Sequence, residues 1–433
     1  MPTPGPTIVV GGGIAGLLCA RTLARAGREV LLLEREAAVG GRVRTTVRDG
    51  FRLDHGFQVL FTAYPTLASQ LELPALNLRA FQPAARLAGG PGAPSLIGDA
   101  FADRSLLVPT ILAGQLSIPD KLRMLRLRAL AKSLPFDECF APRFDDMSTR
   151  TFLAQRGFST GAIESFFAPF YGGILLDRSL ETSASVLLYT FKMLAEGRTA
   201  VPADGMGAIT AQLAAGLPVG SVRTRCEVVR LLRDGDSVTG VVLPGGDEIR
   251  GSAVVLACEP PAAAALAQTA RLPLLVPEGQ LGCTTLYFRS AAALLRGTAL
   301  WLNTATDATV SHAITISNVA PSYAPADVSL TAATILGDAA TLGAADLVPR
   351  VLADLARMSP AAQPARAELL AIWRVPYSQF SQPPGSRDRR MTASTGLAGL
   401  FVASEAAHTS SLEGAARGGL SAAQAVLRDV ITG

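Results

Sequence analysis

Charge and histidine are scarce in this sequence. Charged side chains make up 17% of the 433 residues, against roughly 25% in a typical soluble domain. The three histidines, His55, His312 and His408, lack the spacing of metal ligands, which favours structural histidines and predicts no metal site. The formal net charge of +4 is spread along the chain without any nucleic-acid-binding motif, so we expect no nucleic-acid partner.

Cysteines and long apolar runs are also limited. The five cysteines are an odd number without paired metal-ligand spacing, which favours reduced structural thiols, with a catalytic thiol as the alternative. The mean hydropathy is high, at +0.33, yet no window approaches the roughly 20 apolar residues of a membrane span. The start, Met1 to Thr7, has neither the basic nor the apolar stretch of a secretory signal, which predicts a cytoplasmic location.

The first forty residues have the pattern of a nucleotide-binding unit. A β-branched run precedes Gly11-Gly12-Gly13-Ile14-Ala15-Gly16, which has the spacing G-x-G-x-x-G between a strand and a helix. Gly11 permits a tight turn, Gly13 lets the backbone approach a pyrophosphate, and Gly16 lets helix and strand pack closely. Glu34 then follows a second strand, near the ~20-residue spacing of the carboxylate that binds an adenosine ribose. The whole unit indicates a bound NAD or FAD better than a structural turn.

Two further segments favour FAD by resemblance. Gly40-Gly41-Arg42 and Phe51-Arg-Leu-Asp-His-Gly56-Phe57 resemble the extended FAD fingerprint of the flavin amine oxidase superfamily, which includes monoamine oxidases, protoporphyrinogen oxidases and phytoene desaturases. In that superfamily the Gly-Gly-Arg segment runs beside the cofactor pyrophosphate, a role that suits exposed amides and an arginine. The resemblance implies FAD as the cofactor.

The resemblance returns far downstream. Gly399-Leu-Phe-Val-Ala-Ser-Glu405 and Ser411-Leu-Glu-Gly414-Ala415-Ala-Arg-Gly418 are similar to the closing motif of the superfamily. By that likeness Glu405 contacts the ribityl or pyrophosphate region, while Gly414 and Ala415 present helix N-terminal amides to the flavin pyrimidine oxygens. A looser match begins at Val201 and precedes strands that we predict over 222–232, 238–243 and 253–257, and the first of these implies an adenine contact at Val228.

These motifs predict an α/β fold in which a discontinuous Rossmann-type FAD-binding domain joins a second, α+β substrate-binding domain. We assign residues 1–75, 200–262 and 386–433 to the FAD-binding domain, and 76–199 and 263–385 to the substrate-binding domain. The predicted FAD contacts are Gly11, Gly13, Ile14, Ala15, Gly16, Glu34, Arg35, Gly40, Gly41, Arg42, Gly56, Phe57, Val228, Glu405, Gly414 and Ala415.

The substrate class follows from departures within the resemblance. Monoamine oxidases carry a lysine near flavin N5 on a substrate-domain strand, but the corresponding run from Cys283 to Phe288 has none. The run from Phe166 to Gly173, Phe-Phe-Ala-Pro-Phe-Tyr-Gly-Gly, is instead similar to the aromatic segment of protoporphyrinogen oxidases and desaturases, whose cavities receive large apolar substrates. A packed helix end explains these aromatic residues equally well.

We therefore expect an FAD-dependent desaturase or oxidase, and the bond it oxidises is left open. Its apolar substrate, isoprenoid- or carotenoid-like or tetrapyrrole-like, passes a hydride to flavin N5 and gains a double bond, with oxygen or a quinone as the electron acceptor. An amine or amino-acid oxidase and a non-catalytic flavin- or lipid-binding protein are the alternatives. The candidate catalytic residues are His55, Tyr377 and Gln379.

Residues 117–134 predict a helix in which five cations alternate with leucines. One interpretation is that this helix lies on an anionic membrane surface, so that the protein is peripherally membrane-associated and takes an apolar substrate from lipid. A solvated helix whose leucines reach the core explains the same pattern.

Overall fold

The structure is a computed structural model that describes residues 5–90 and 92–432. Residues 1–4, Pro91 and Gly433, which fall within the predicted domains, lie outside the described residues.

A five-stranded parallel sheet contains the first strand of the chain. Its strand order is β10-β2-β1-β14-β20. The strands are β1 (Thr7–Val10), β2 (Val30–Leu33), β10 (Val222–Arg223), β14 (Ala253–Leu256) and β20 (Leu400–Val402). Four of the five are fully buried apolar runs, as expected where helices cover both faces of a parallel sheet. Because three distant parts of the sequence contribute strands, the predicted Rossmann-type α/β fold is confirmed.

A second, seven-stranded sheet has the order β19-β15-β18-β17-β16-β7-β8. Its strands are β7 (Ala84–Ala88), β8 (Ser95–Gly98), β15 (Gln280–Ser290), β16 (Leu300–Asn303), β17 (Val310–Thr315), β18 (Ser329–Leu336) and β19 (Glu368–Phe380). Neighbouring strands run antiparallel except β16 and β7, which are parallel. The β-branched runs Ala313-Ile-Thr-Ile316 and Val328-Ser-Leu-Thr-Ala-Ala-Thr334, which are typical of strands, overlap β17 and β18.

Three small antiparallel sheets connect these parts. They are formed by β3 (Thr45–Arg48) with β4 (Phe51–Asp54), by β5 (Leu60–Phe61) and β6 (Leu78–Ala80) on either side of β9 (Thr199–Pro202), and by β11 (Arg230–Asp234), β12 (Ser237–Val242) and β13 (Glu248–Arg250).

The predicted continuous strand over 222–232 is wrong. The strand breaks after Arg223, and Arg225 has a positive φ of 52°. The N–H groups of Arg225 and Cys226 donate to the carbonyls of Glu36 and Glu34, each at 2.9 Å, so this segment follows the residues after β2. Val228 lies in the interruption, and its side chain is buried.

Helices occupy most of the remaining sequence. The α-helices are α1 (Ile14–Arg25), α2 (Pro65–Ser69), α3 (Leu107–Leu112), α4 (Ile118–Ser133), α5 (Pro142–Asp145), α6 (Thr149–Gln155), α7 (Thr160–Ala162), α8 (Ala168–Leu175), α9 (Ala184–Glu196), α10 (Gly207–Ala215), α11 (Pro260–Thr269), α12 (Ile316–Val319), α13 (Ala344–Met358) and α14 (Leu412–Thr432). A π-helical turn over Ile163–Phe167 runs directly into α8. Short 3₁₀ turns include Arg104–Leu106, Asp137–Phe140, Ser386–Arg389 and Glu405–Ala407.

Helix α14 crosses α1 at close range. A Cβ atom at Gly419 would come within 2.3 Å of the Ala15 carbonyl oxygen, so the two backbones approach as only a glycine permits. The helix nearest the first glycine motif is thereby packed against a helix from the last part of the sequence.

Helix α4 confirms the predicted helix over 117–134, but its leucines do not share one environment. Leu127 is buried, whereas Leu122 and Leu125 are exposed, so the interpretation that the leucines reach the core holds only in part. No helix in the described ranges combines the length and apolarity needed to span a bilayer. Within the same residues, no group of three or more His, Cys, Asp or Glu side chains is arranged to hold a metal ion.

Candidate functional site

The first glycine turn has two crowded positions and one open position. A Cβ at Gly11 would come 2.7 Å from the Ala257 carbonyl oxygen, and one at Gly16 would come 2.0 Å from the Gly11 carbonyl oxygen. A Cβ at Gly13, the N-cap of α1, would meet no atom within 4 Å. Gly11 and Gly16 therefore serve the close packing of strand and helix, while open space lies over Gly13 at the positive end of the helix dipole.

Glu34 is held rigidly beside this turn. Its carboxylate accepts hydrogen bonds from the N–H of Gly12 at 2.7 Å and from the N–H of Glu36 at 2.9 Å, one on each oxygen. The side chain is buried, and each carboxylate oxygen keeps a second lone pair for a hydroxyl donor. Arg35, in contrast, points into solvent and pairs weakly with Glu36, at 3.5 Å.

The second glycine turn faces the first. Gly40 and Gly41 have φ values of +134° and +55°, and a Cβ at Gly41 would come 3.3 Å from the Gly13 Cα. The N–H of Gly40 donates to the Gly12 carbonyl at 2.7 Å. The two turns thus form one backbone cradle with the open side over Gly13.

Arg42 joins this cradle to the segment from Gly399 to Gly418, which we call the return segment. Its Nη2 lies 2.5 Å from Glu405 Oε1, and its Nη1 donates to the Ser378 carbonyl at 2.9 Å. Burial by itself lowers the pKa of Arg42, but the charge and hydrogen bond of Glu405 outweigh burial and raise it above its ordinary value. Arg42 is therefore a fixed cation at neutral pH, positioned by residues from two other parts of the chain.

The start of α14 differs in detail from the expectation. The N–H of Gly414 donates to Ser411 Oγ at 2.9 Å, and the N–H of Ala415 donates to the Ser411 carbonyl at 3.0 Å. Neither amide is therefore free, and among the described residues no acceptor contacts the amides of Leu412 and Glu413. The amides without an acceptor in the described chain, those of Leu412 and Glu413, therefore lie two residues before the predicted pair, Gly414 and Ala415.

Two buried carboxylates in the motifs were missed as site residues. Asp54 accepts hydrogen bonds from Thr45 Oγ1 at 2.5 Å, the Met206 N–H at 2.9 Å and the Tyr323 hydroxyl at 2.8 Å. Burial raises the pKa of Asp54 to about 6, although these three hydrogen bonds oppose the rise. Glu413 accepts from the N–H groups of Thr66 and Leu67 and so caps α2. Only their place inside a motif could have drawn attention to them.

Of the three candidate catalytic residues, His55 and Gln379 already have partners. The His55 ring stacks on Trp373 with 3.9 Å between centroids, and its Nε2 lies 2.8 Å from Thr46 Oγ1. Burial, then the charge of Arg44, lowers the pKa of His55 to about 4. Gln379 Nε2 donates to the Ile174 carbonyl at 2.8 Å.

Tyr377 is different from the other two candidates. Its hydroxyl is buried and has no hydrogen-bond partner within residues 5–90 and 92–432, and Arg42 lies over its ring at 5.8 Å. Burial raises the pKa of Tyr377, so the phenol stays protonated at neutral pH. The amide oxygen of Gln58, whose nitrogen donates to the Arg42 carbonyl, is also buried without a partner among the described residues.

Phe57 marks the junction between the cofactor motif and the seven-stranded sheet. Its N–H donates to Thr285 Oγ1 on β15 at 3.1 Å, and its ring lies 5.2 Å from that of His312 on β17. Burial, then the charge of Arg178, lowers the pKa of His312 to about 4, so the imidazole is neutral at neutral pH. A Cβ at Gly173 of α8 would come 3.0 Å from His312 Nδ1.

The aromatic run before and within α8 is mostly core. Phe167 and Tyr171 are fully buried, and Phe166 is nearly so, while Phe170 is partly exposed and stacks on Phe166 at 5.6 Å between centroids. The interpretation as a packed helix end fits most of these residues.

Burial raises the pKa of four of the five thiols, those of Cys19, Cys139, Cys258 and Cys283, and so makes them poor nucleophiles. Burial raises the pKa of Cys19 and of Cys258 to about 12, and that of Cys139 to about 11. All five cysteines are free thiols, and Cys283 is also buried.

The residues described above fit the phosphates and ribose of FAD. The open face over Gly13 offers backbone amides at a helix N-terminus, the second turn faces it, and Arg42 supplies a cation. The unpartnered oxygens of Tyr377 and Gln58 are further groups that a bound molecule could satisfy. A cavity of about 390 Å³ lies next to the residues that follow β2, and its lining includes Arg35, Arg225 and Glu227.

Comparisons with known proteins agree with this fit. The sequence profile of flavin-containing amine oxidoreductases matches residues 14–427. The chain is 29% identical over 182 residues to coproporphyrinogen III oxidase of Propionibacterium freudenreichii subsp. freudenreichii, which covers 40% of this chain and 33% of that protein. It is 29% identical over 287 residues to hydroxyneurosporene desaturase of Rubrivivax gelatinosus, covering 57% and 52%.

The fold extends over more of the chain than these alignments. Cyclohexylamine oxidase from Brevibacterium oxydans superimposes with a TM-score of 0.70 at 17% sequence identity, over 99% of this chain and 100% of that one. The sequence alignments, by comparison, reach only a third to a half of the length of the two curated relatives.

Proposed function

Because the chain belongs to the family of flavin-containing amine oxidoreductases, and is an FAD-dependent oxidoreductase, we propose that it dehydrogenates an apolar substrate. The proposed substrate is isoprenoid- or carotenoid-like, or tetrapyrrole-like, and it gains a double bond. Bound FAD supplies a hydride acceptor at N5, which oxygen or a quinone then reoxidises. The chain's own task is to hold the substrate C–H bond against that atom and to exclude water.

The observation that carries the proposal is the neutral character of three side chains beside Phe57. The rings of Phe81 and His312 lie near its ring, and Thr285 accepts from its N–H. His312 is neutral above a pH of about 4, and the charge that acts on His312 is the cation of Arg178. An apolar substrate loses little solvation at such a surface, whereas an ammonium substrate would need a carboxylate or a partial negative charge beside it.

The lysines support the same conclusion. The three lysines all lie on helices: Lys121 and Lys132 on α4, and Lys192 on α9. Lys121 donates to the carbonyls of Ile111 and Ala113, and Lys192 pairs with Glu196 at 2.6 Å. The position on β15 that contacts Phe57 is Thr285. The strand lysine of monoamine oxidases thus has no counterpart on β15.

We assign His55 and Gln379 a packing role and Tyr377 a positioning role. The neutral His55 ring is held between Trp373 and Thr46, and the Gln379 amide fixes β19 to the end of α8. The Tyr377 hydroxyl is a protonated donor without a partner in the described chain, next to Arg42. It orients either the cofactor or the substrate.

The test is an anaerobic titration of the purified holoenzyme, with the absorbance of oxidised flavin as the readout. We expect acyclic polyenes or porphyrinogens to bleach the flavin band in a saturable manner, and primary and secondary amines to leave it unchanged. Bleaching by amines, with hydrogen peroxide formed on admitting oxygen, would show an amine oxidase instead. Flavin that none of these compounds bleaches would support the carrier alternative.

A peripheral membrane contact is the second part of the proposal, and an exposed apolar surface favours it. We call this surface the apolar shoulder; it consists of Phe101, Leu107, Val108, Ile111, Leu112, Ile118, Leu122 and Leu125, all exposed. Leu112 and Phe101 are the most exposed, at 76% and 70%. Clustered apolar exposure of this kind is unusual for a surface that faces only water.

Contacts join the segments that carry the shoulder, and cations lie among its residues. The ammonium group of Lys121 bonds the end of α3 to α4, and Arg128 of α4 lies over the Phe101 ring at 4.4 Å. Arg104 and Arg126 are exposed on the same elements. Apolar side chains flanked by cations suit insertion into the headgroup region of an anionic bilayer. The cytoplasmic location expected from the sequence remains a prediction.

A further inference from the structure

A cavity of about 340 Å³ lies outside the cofactor cradle and is rich in arginine. We call it the arginine pocket. Three parts of the chain form it: the turn at Asp137–Phe140, the turn at Ser386–Arg389 with the following Arg390, and the segment from His408 to Arg417. The cavity therefore joins the predicted substrate-binding domain to the return segment of the predicted FAD-binding domain.

Aromatic rings and a carbonyl hold the guanidinium groups in place. Arg417 lies over the Phe136 ring at 4.5 Å, and Arg390 lies over the Phe140 ring at 5.1 Å. Arg387 Nη1 donates to the Phe140 carbonyl at 3.3 Å. Stacking occupies the face of a guanidinium and leaves its N–H edge available, so the groups are positioned without being neutralised.

The charges in the pocket are incompletely matched. Arg417 pairs with Asp137 at 2.7 Å and Arg387 with Asp388 at 3.4 Å, but these acidic side chains are 77% and 81% exposed, so water screens them. Asp145 also attracts Arg390, but its oxygens already accept from Ser183, Ser185 and the Arg387 N–H. Arg390 itself makes no hydrogen bond or ion pair with the part of the chain that the structure describes.

Repulsion adds to this imbalance. Burial lowers the pKa of Arg390, and the charges of Arg387 and Arg417 lower it further. Burial and the same kind of neighbours, Arg417 and Arg390, lower the pKa of His408 to about 4, so the imidazole stays neutral. The three arginine charges repel one another, and the N–H groups of the Arg390 guanidinium lack an acceptor among the described residues, so the arrangement is destabilising without a counter-ion. A bound anion would accept those hydrogen bonds and reduce the repulsion.

We propose that the arginine pocket binds an oxyanion carried by a small molecule. Guanidinium N–H edges match the geometry of a carboxylate or a phosphate. The cavity is larger than one oxyanion group, and Phe136 and Phe140 line it, so an apolar or planar remainder fits beside the charged group. The residues that line the pocket include none of those that fit the cofactor phosphates, and the proposal does not depend on the substrate class.

The experiment is isothermal titration of the holoenzyme at constant ionic strength with two probes, inorganic phosphate and phthalate. Saturable binding of one equivalent of either probe is expected. Tighter binding of phthalate indicates an organic carboxylate, and equal or tighter binding of phosphate indicates a phosphate. In Arg390→Gln the affinity falls at least about tenfold, which is the loss expected for one charge-assisted hydrogen-bonded pair.

Two further variants make the result decisive. Arg387→Gln changes a less buried guanidinium of the same pocket and serves if Arg390→Gln does not fold, which flavin content and circular dichroism report. Arg289→Gln removes an exposed arginine that pairs with Glu368 on the seven-stranded sheet, and it keeps wild-type affinity. Absence of saturable binding of either probe to the wild type, or unchanged affinity in both pocket variants, overturns the proposal.

Discussion

Arg42 and Glu405 lie 363 positions apart in the sequence, and an ion pair with an N–O distance of 2.5 Å joins their side chains. Glu405 is almost fully buried and Arg42 is largely so. The first glycine-rich region and the return segment of the chain therefore depend on each other through one contact.

Breaking this pair is expected to affect both stability and FAD binding. For Glu405→Gln we expect the free energy of unfolding to fall by about 2–3 kcal/mol, because a buried cation loses its partner. Flavin content after gel filtration should fall with it. A double-mutant cycle with Arg42→Gln measures the coupling, and the exposed pair of Arg289 and Glu368 provides the control, with an expected coupling below about 1 kcal/mol. Equal coupling energies in the two cycles would contradict the assignment.

The open position in the first glycine turn gives a second prediction. In Gly13→Ala the new methyl group meets no atom of the chain, so the free energy of unfolding of the apoprotein should stay within about 0.5 kcal/mol of wild type. The methyl group occupies the space assigned to the phosphates, so FAD affinity should fall at least about tenfold. Flavin fluorescence quenching measures the affinity. Gly16→Ala is the contrast, since its methyl group collides with the Gly11 carbonyl and should prevent folding.

Removal of the Tyr377 hydroxyl should act in opposite directions on stability and on catalysis. Because this buried hydroxyl lacks a partner in the described chain, Tyr377→Phe should leave the apoprotein equally stable or stabilise it by about 1 kcal/mol. Flavin reduction by the substrate should slow by about tenfold, if the hydroxyl orients one of the reactants. Tyr323→Phe, which loses a hydrogen bond to Asp54, should be destabilised instead. An unchanged reduction rate in stopped-flow absorbance would leave Tyr377 as a packing residue.

Asp54 predicts a specific dependence of stability on pH. Its folded-state pKa of about 6 lies above the ordinary value of 3.8, so the folded protein binds this proton more tightly than the unfolded chain does. The resulting stabilisation is complete below a pH of about 4 and is lost as the pH rises to about 6, by up to about 3 kcal/mol. Urea unfolding of wild type and Asp54→Asn across this range isolates the contribution. The free energy of unfolding of the wild type should decrease relative to that of the variant as the pH rises. Parallel dependences of the two free energies on pH would refute the raised pKa.

The apolar shoulder predicts binding to anionic vesicles. Leu112→Glu combined with Ile111→Glu places two charges on its most exposed helix, and co-sedimentation with vesicles containing phosphatidylserine should fall at least about fivefold. Val219→Glu is the matched control, because Val219 is fully exposed but distant in sequence from the shoulder. Wild-type protein that does not sediment with anionic vesicles, or variants that sediment equally well, would remove the membrane from the proposed function.

The sequence predicted those parts of the fold that have local signals. The unit from β1 to Glu34 was visible because glycine spacing, strand and carboxylate lie within a few tens of residues. The pairing of β7 with β16 had no such signal, since its residues are some two hundred positions apart and only the assembled sheet brings them together. The break after Arg223 is accompanied by hydrogen bonds to the residues after β2, which the local sequence from Val222 to Leu232 does not encode.

The candidate site was predicted unevenly for a related reason. A role that depends on the backbone, as at Gly13 or Gly41, can be inferred from a motif because the motif describes a local conformation. The neutral state of His312 and the raised pKa of Asp54 both arise from burial, which depends on residues distant in the sequence. The amides of Gly414 and Ala415 are occupied by Ser411, which is close in sequence, but this hydrogen bonding depends on the exact start of α14, which the motif does not specify. The arginine pocket likewise combines three segments with no shared pattern.

The order of strands in the parallel sheet also bears on biosynthesis. β1 and β2 emerge early from the ribosome, yet one of their neighbours in the sheet is β14, and β20 pairs with β14 in turn. Helix α14, which covers α1, is made later still. The nascent chain therefore keeps the open edge of β1 unpaired until β14 is translated, and the apolar face of α1 uncovered until α14 is translated. We therefore expect that a chaperone or provisional contacts protect this nascent surface until α14 has been made.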